Sequence, residues 1–371
     1  MLSCFAVATP GLEGVTRAEL LAGGWRLPDS GPVPGGVPFD ADPDDLYRAN
    51  LSLRTVRRVL VRLGDFVAAS FPELRRKSAN LPWEQYLAAG QPVRLRVTCT
   101  KSRLYHSGAV GERVAAAIGE RLGGTAPPVA GGEDTDVQLV VVRLVRNRCT
   151  ISLDSSGEGL RKHGYREATA RAPLSEPLAA AMLGHVGWRG DTPLIDPFCG
   201  SGTIPIEGAL LATGTITRRD YPFPFHRWSG FDARAWGAAL AALPPPTDCA
   251  MPIIGSDRDG GAIAAARANA ERAGMEGVIE WREAAVSAMD APSGTGWIVT
   301  NPPYGVRVSR GADLRDLYAA FGRVVRERFA GWGVCLLCGD RDLLKQTGIG
   351  FDRGIPLDNG GLRVWLVTGR G

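Results

Sequence analysis

The chain has 371 residues, of which 44% are apolar, and a formal net charge of +4. That length suits two or three domains with sizeable cores, and it excludes a mostly disordered polypeptide. No apolar run reaches the roughly eighteen residues a spanning helix needs, so a membrane protein is not expected. The opening Met1-Leu2-Ser3-Cys4-Phe5 lacks the basic region and cleavage site of a secretory signal. Seven cysteines are scattered singly, apart from Cys335 and Cys338. This usage fits a reducing cytosol and a cytoplasmic location. The Cys335/Cys338 spacing sits inside the apolar run 333–338 and reads as a buried strand. The four histidines are isolated, and no metal-ligand spacing occurs.

Charge is unevenly distributed. Residues 1–45 carry two basic and seven acidic side chains, whereas residues 46–121 carry fourteen basic and five acidic. A basic block in one segment is the electrostatic footprint of phosphate binding, although a solvated arginine-rich surface would look the same.

In chain order, residues 4–7 read as a strand, 10–14 as a turn, and the following stretch through Leu20 as a helix. The Pro/Gly-rich stretch 28–38 reads as a loop, 46–55 as a helix and 58–68 as a strand. This small α+β unit is expected to end near residue 65. Helical spacing over 72–89 places Trp83, Tyr86 and Leu87 in a core. Residues 92–100 alternate strictly, with Val93, Leu95, Val97 and Cys99 on one face and Arg94, Arg96 and Thr98 on the other. Lys101 and Arg103 leave this strand. Arg94, Arg96, Lys101 and Arg103 are therefore the candidate RNA contacts. A helix over 108–122 and a hairpin of strands 137–145 and 149–153 complete a second, basic unit. A polar connector with Gly157, Gly159 and Gly164 follows, and the boundary falls near 155–172. A proline-led helix is expected from Pro173 to Val186.

The run Leu194-Ile195-Asp196-Pro197-Phe198-Cys199-Gly200-Ser201-Gly202-Thr203 is an apolar strand end, an acid, a Gly-x-Gly turn and a helix start. Glycines let backbone approach a ligand at the carboxyl end of a parallel strand. A dinucleotide fingerprint uses the same physics, but Pro205 stands where its third glycine would be, and an acid precedes the loop. Asp196 suits the cationic end of S-adenosylmethionine better. Asp257, followed by Arg258, ends a second strand and suits two ribose hydroxyls. Between these elements lies an aromatic-rich insert, 214–250. It either flanks the substrate opening or packs as an external helix and loop. Glu283, after a third strand, is the candidate near an adenine.

A fourth strand, 297–300, delivers Asn301-Pro302-Pro303-Tyr304. An exocyclic amino group on a base is a poor nucleophile, because its lone pair is delocalised into the ring. Two acceptors, the Asn301 side-chain carbonyl and the Pro302 backbone carbonyl, would hold its N–H groups and favour the tetrahedral form. Pro302 and Pro303 stiffen the turn, and Tyr304 offers a stacking face to a flipped base. A helix over 314–329 and strands at 334–338 and 362–368 follow. Strand and helix alternate throughout, which predicts a doubly wound α/β sheet.

With these motifs in view, the chain resembles the guanine-N2 RNA methyltransferases that carry a THUMP domain. The resemblance runs over nearly the whole chain. It rests on Leu46-Tyr47-Arg48-Ala49-Asn50-Leu51, Ser102-Arg103-Leu104-Tyr105-His106, residues 151–166 ending in Gly-Tyr-Arg, residues 196–203, and residues 301–305. The resemblance implies an α/β fold: a ferredoxin-like segment (1–65), a THUMP RNA-binding domain (66–155), a linker (156–172), and a Rossmann-like methyltransferase domain (173–371). It implies S-adenosylmethionine held by Asp196, Phe198, Cys199, Gly200, Ser201, Gly202, Thr203, Asp257, Arg258 and Glu283. It places the target base at Asn301, Pro302, Pro303 and Tyr304. Structured RNA is the implied partner, with no membrane and no metal. The insert's Trp228 and Trp236 look more like members acting on large-subunit 23S ribosomal RNA than like members acting on the tRNA acceptor stem.

Direct in-line methyl transfer is the expected mechanism, with acceleration from proximity and orientation. A pyrimidine-C5 mechanism through Cys199 is disfavoured because that thiol lies in the cofactor loop, away from the tetrapeptide. The rival readings are an adenine-N6 nucleic-acid methyltransferase, which shares the tetrapeptide, and a non-catalytic RNA-binding assembly factor.

Overall fold

The computed structural model describes residues 1–29, 31–124, 137–167, 174–304 and 314–371. The first part is a six-stranded sheet. Its elements are β1 (Leu2–Ala8), α1 (Glu13–Ala22), β2 (Gly36–Ala41), α2 (Pro43–Ser52), β3 (Val56–Val67), α3 (Phe71–Ala79), β4 (Val93–Thr100), α4 (Ser107–Leu122), β5 (Gln138–Val145) and β6 (Arg148–Asp154). The strand order is β2-β1-β3-β6-β5-β4, antiparallel except for the β4/β5 pair. Residue 65 falls inside β3, which hydrogen-bonds β1 on one side and β6 on the other. One sheet therefore runs through both expected N-terminal units.

Local signals explain most boundaries. Asp42 caps α2 by accepting from the Asp45 N–H, with Pro43 at the helix start. Ser70 caps α3 in the same way through the Glu73 N–H. The helix expected over 72–89 stops at Ala79. Pro82 cannot continue it, and the chain makes a short 3-10 turn at Trp83–Gln85. Trp83, Tyr86 and Leu87 are nevertheless buried. The loop expected over 28–38 ends early, because Gly36 already pairs with Val7 in β2.

The second part is a seven-stranded sheet built from α5 (Glu176–His185), β7 (Leu194–Asp196), α6 (Thr203–Thr213), α7 (Ala233–Ala241), β8 (Ile253–Asp257), α8 (Gly260–Arg272), β9 (Ile279–Glu283), β10 (Trp297–Thr300), α9 (Arg315–Arg328), β11 (Gly333–Cys338), α10 (Arg341–Gln346), β12 (Ile355–Asn359) and β13 (Leu362–Arg370). The order is β12-β13-β11-β10-β7-β8-β9, with β7 to β11 parallel and β13 antiparallel. Sequence periodicity had not indicated α10 and β12. The expected start of α5 at Pro173 lies outside the described residues; the helix begins at Glu176. Cys335 and Cys338 are buried on β11, as the apolar run predicts. No described helix is long and apolar enough to cross a membrane.

The insert between α6 and β8 packs outward. Phe223, Phe225 and Trp228 are buried in the core of the first sheet rather than the second. Tyr47 of α2 meets Phe225 at 4.9 Å and Trp236 at 5.7 Å between ring centroids, and the Trp228 indole N–H donates to Gln138 at 2.8 Å. Of the two roles left open for this insert, the packed one describes it. Two arginines clasp the parts together. Arg218, 5% exposed, donates to the carbonyls of Asn50, Leu51 and Leu53 at the end of α2. Arg54, just after α2, donates to the carbonyls of Leu210 and Thr215 at the end of α6. Each cation thus satisfies the open carbonyls of a helix C-terminus.

The connector is also packed. His163 and Tyr165 are 1% exposed, and both reach Glu207 of α6, at 2.7 and 2.9 Å. Burial holds His163 below its ordinary range, while the facing imidazole helps keep Glu207 ionised against burial.

Candidate active site

In open α/β sheets, ligands bind at the carboxyl ends of the strands where the chain reverses the direction of strand addition. Here that point lies between β7 and β10. From β7 the chain builds outward to β8 and β9, then returns to β10 on the other side. The carboxyl ends of these strands carry Asp196, Asp257, Glu283 and Thr300–Asn301.

Asp196 is 1% exposed. Its Oδ1 accepts from Thr300 Oγ1 at 2.6 Å and from the Phe198 N–H at 3.1 Å. The Thr300 bond ties the cofactor loop to the strand bearing the tetrapeptide. Burial raises the Asp196 carboxyl to about 7, and those two hydrogen bonds pull against the rise. A buried carboxylate with no ion-paired cation among the described residues is well suited to a cationic ligand group.

The loop after Asp196 is compact. The Cys199 N–H donates to the Ser256 carbonyl at 3.0 Å, and the Gly200 N–H donates to Asp257 Oδ2 at 3.0 Å. Gly200 and Gly202 have φ of +53° and +85°. Gly202 serves packing as well as conformation: a Cβ there would lie 2.6 Å from Trp281 and 3.0 Å from Ala266. Ser201 accepts from Asn269 Nδ2 through its carbonyl, and Thr203 opens α6. The Phe198 ring meets Phe321 at 5.9 Å. Asp257 also accepts from the Asp259 N–H. Arg258 and Glu283 are exposed, and the Glu283 carboxylate lies over Gly260. Cys199 is 7% exposed, and burial pushes its thiol well above the ordinary range, which disfavours it as a nucleophile.

Asn301 follows β10, and its side-chain Oδ1 is buried with no hydrogen-bond partner among the described residues. Buried acceptors are ordinarily satisfied, and this one stands at the carboxyl ends of the parallel strands, where open α/β sheets bind ligands. Two partners brace the rest of the tetrapeptide. The Tyr318 hydroxyl donates to the Pro303 carbonyl at 3.2 Å, and Asn359 Nδ2 donates to the Tyr304 hydroxyl at 2.9 Å. The Tyr304 ring lies against Gly339, where a Cβ would be 2.9 Å away. Thr300, Tyr318 and Asn359 carried no sequence signal, because they act through contacts with residues distant in the chain. Gly305, the last residue of the resemblance motif, lies outside the described residues.

The four basic candidates differ in exposure. Arg94 turns its Nε and one Nη into a buried position without a hydrogen-bond partner among the described residues, whereas Arg96, Lys101 and Arg103 are exposed. A cleft of about 620 Å³ lies between α1–α2 and α6–α7 and is lined by none of residues 196–203 or 301–304. Among the described residues no cluster of three or more metal-ligating side chains occurs.

Residues 163–361 match the family described as "RMKL-like, methyltransferase domain", residues 3–60 the RlmL ferredoxin-like domain, and residues 68–154 the THUMP domain. The chain is 32% identical to a protein of Synechocystis sp. strain PCC 6803 provisionally named an RNA methyltransferase, over 98% of this chain and 95% of that one. It is 32% identical to ribosomal RNA large subunit methyltransferase K/L of Syntrophotalea carbinolica, over 98% of this chain and 53% of that protein. The chain spans about half the length of the K/L relatives it matches. Among solved structures, a provisionally named methyltransferase complexed with SAH superposes with a TM-score of 0.86 at 27% identity, over 100% of this chain and 98% of that one. A Listeria monocytogenes protein described as a predicted N6-adenine-specific DNA methylase superposes with a TM-score of 0.84 at 30% identity, over 98% of this chain and 95% of that one.

Proposed function

The chain belongs to the RMKL-like methyltransferase family, with ferredoxin-like and THUMP domains ahead of the catalytic sheet, and from that premise we propose that it methylates the exocyclic N2 of a guanosine in structured RNA, 23S ribosomal RNA being the substrate. The observation that carries the reading is Asn301 Oδ1: a buried acceptor with no partner among the described residues, at the carboxyl end of β10, one residue beyond the threonine that binds Asp196.

The residues present fit S-adenosylmethionine. Asp196 would face its cationic end and Asp257 its ribose hydroxyls, with the 198–203 loop against the remainder. The bound cofactor supplies a methyl group activated by a sulfonium charge. The chain's own residues prepare the acceptor. The Asn301 Oδ1 and the Pro302 carbonyl accept the two N–H groups of the amino nitrogen, leaving its lone pair directed outward. Tyr304, braced by Asn359, supports the base, and Tyr318 steadies the turn. Positioning provides the acceleration. The Listeria neighbour's description supports a second reading, adenine N6, because the same acceptors would serve that amino group.

Nucleoside mass spectrometry separates the readings. The protein is incubated with isotopically labelled S-adenosylmethionine and, in parallel, unmodified ribosomal RNA, tRNA and DNA. Labelled N2-methylguanosine in 23S RNA is the expected product. Label only in tRNA moves the substrate to the tRNA class, and labelled N6-methyladenosine replaces the target base. No label in any substrate, with donor binding intact, overturns the enzymatic reading in favour of a binding factor.

A further inference from the structure

Strand β10 runs inside the second sheet, paired with β7 on one side and β11 on the other. Parallel strands of this kind are covered on both faces and read as apolar runs. Trp297, Ile298 and Val299 follow that rule, and Thr300 breaks it. Its side chain is 0% exposed. Valine has nearly the same shape and suits a strand as well, so a buried hydroxyl at this position calls for a partner.

That partner is Asp196. The Thr300 hydroxyl donates to Asp196 Oδ1 at 2.6 Å, a length typical of an O–H donating to an ionised carboxylate. The bond lies where backbone pairing has ended. Strands β7 and β10 pair through Leu194 with Trp297 and Ile195 with Ile298, and beyond those rungs the Thr300–Asp196 bond joins the two strand ends. Asp196 leads into the 198–203 loop, and Thr300 is followed by Asn301. One hydroxyl therefore stands between the two motifs of the site.

The surroundings of Asp196 make this donor matter. Burial favours the protonated carboxyl, and Asp257 at the end of β8, the charged group facing it, pushes the same way. The Cys199 thiol in the loop is kept protonated by burial and brings no compensating charge. Asn301, next on β10, is neutral. Among the described residues, two contacts favour the ionised form: the Phe198 N–H at 3.1 Å and the Thr300 hydroxyl. Without the hydroxyl, Asp196 would hold its proton to higher pH, and a cationic ligand group would meet a neutral acid.

We propose that Thr300 is a positioning residue of the donor site, whose hydroxyl holds the Asp196 carboxyl charged and in place for the cationic end of S-adenosylmethionine. The proposal rests on the assignment of Asp196 to that end of the donor. It goes beyond that assignment by naming the group that keeps the carboxyl ready near neutral pH. Thr300 acts on the donor through Asp196 rather than by touching it.

Calorimetry of S-adenosylmethionine binding to the full chain between pH 6 and pH 8.5 tests this role. Thr300→Val removes the O–H and keeps the shape. Loss of one charge-assisted hydrogen bond should move the binding midpoint up by about one pH unit. Affinity should then fall about tenfold below wild type at pH 6 and come within about twofold of it at pH 8.5. The donor's own titration cancels, because the two proteins are compared at each pH. Thr300→Ser retains the O–H and should match wild type at both ends of the range. Thr300→Ala repeats the valine comparison with a smaller side chain, and melting temperatures identify the variants that fold. A residue that only packs would lower affinity by one factor at every pH, or leave it unchanged. Either pattern in the folded valine or alanine variant, while wild-type affinity still rises through pH 7, overturns this proposal alone. Wild-type affinity that does not respond to pH overturns the Asp196 assignment and the proposal with it.

Discussion

Asn301 and Asp196 share one short stretch of space yet are asked to do opposite things. In the proposed reaction Asn301 offers a neutral acceptor to a neutral amino group, so its removal should leave the donor site intact. Asn301→Ala is expected to lose methyl transfer by at least a hundredfold in kcat while the dissociation constant for S-adenosylmethionine, measured by calorimetry, changes by less than about threefold. Retained transfer in that variant would remove the residue from the chemistry. Asp196 offers charge, and burial sets the price of that charge. Its carboxyl is raised to about 7 from an ordinary 3.8, so between those values the folded state holds a proton that the unfolded chain has released. Stability of the ligand-free protein should therefore be fullest below about pH 4 and decline as pH rises through 7. Donor affinity should run the other way. It should rise about tenfold per pH unit up to 7 and level off above, since the cationic group pairs with the ionised form. Asp196→Asn is expected to flatten both profiles, which thermal melts and calorimetry at several pH values would show.

Elements, rather than single groups, set how the site is presented. The turn between β7 and α6 depends on Gly202, where a left-handed φ and the Trp281 ring leave no room for a side chain. Gly202→Ala should cost about 1–3 kcal/mol in denaturant unfolding and weaken donor binding, because the loop must shift from Asp257 to relieve the clash. The edge strand β4 makes a different contribution. Its alternation was legible in sequence, and Val97 and Leu95 do face α4 across Gly111. Its arginines are not equivalent, however. Arg96 is exposed, whereas Arg94 has buried nitrogens. Charge reversal at Arg96 and Lys101 should weaken RNA binding and lower the slope of log K against log salt by about one per lost phosphate contact. Arg94→Glu should chiefly destabilise the fold, as judged by its melting temperature. A salt slope unchanged in the Arg96/Lys101 variant would mark those residues as a solvated face.

At the scale of the molecule, the two sheets are joined by reciprocal arginines, the packed connector and the aromatic insert. Arg218 satisfies three carbonyls at the end of α2 from a buried position, and burial lowers it only to about 10, so it stays charged near neutrality. Replacing it with methionine leaves those carbonyls without a donor. Arg218→Met should destabilise the protein by about 3 kcal/mol and split a single unfolding transition into two, followed by circular dichroism in urea. One transition with an unchanged midpoint would show that the clasp does not couple the parts. A fixed relation between the sheets matters for the proposed function, because the candidate RNA contacts of β4 and the candidate target pocket lie on different ones.

What the sequence determined by itself was local or carried by short motifs. Alternation marked β4, a hairpin signal marked β5 and β6, and helical spacing marked α4; the strand–acid–Gly-x-Gly and Asn-Pro-Pro-Tyr runs marked the candidate site. Each of these signals is written in neighbours along the chain, since a period, a cap or a turn needs only a few consecutive residues. Tertiary structure decided the rest. It made β3 common to two units, turned the insert toward the first sheet, buried the connector against Glu207, and brought Thr300, Tyr318 and Asn359 onto the two motifs. Those residues are ordinary in sequence. Their roles come from contacts across the chain, as in the Thr300–Asp196 and Asn359–Tyr304 bonds, and such contacts exist only once the sheet has ordered its strands.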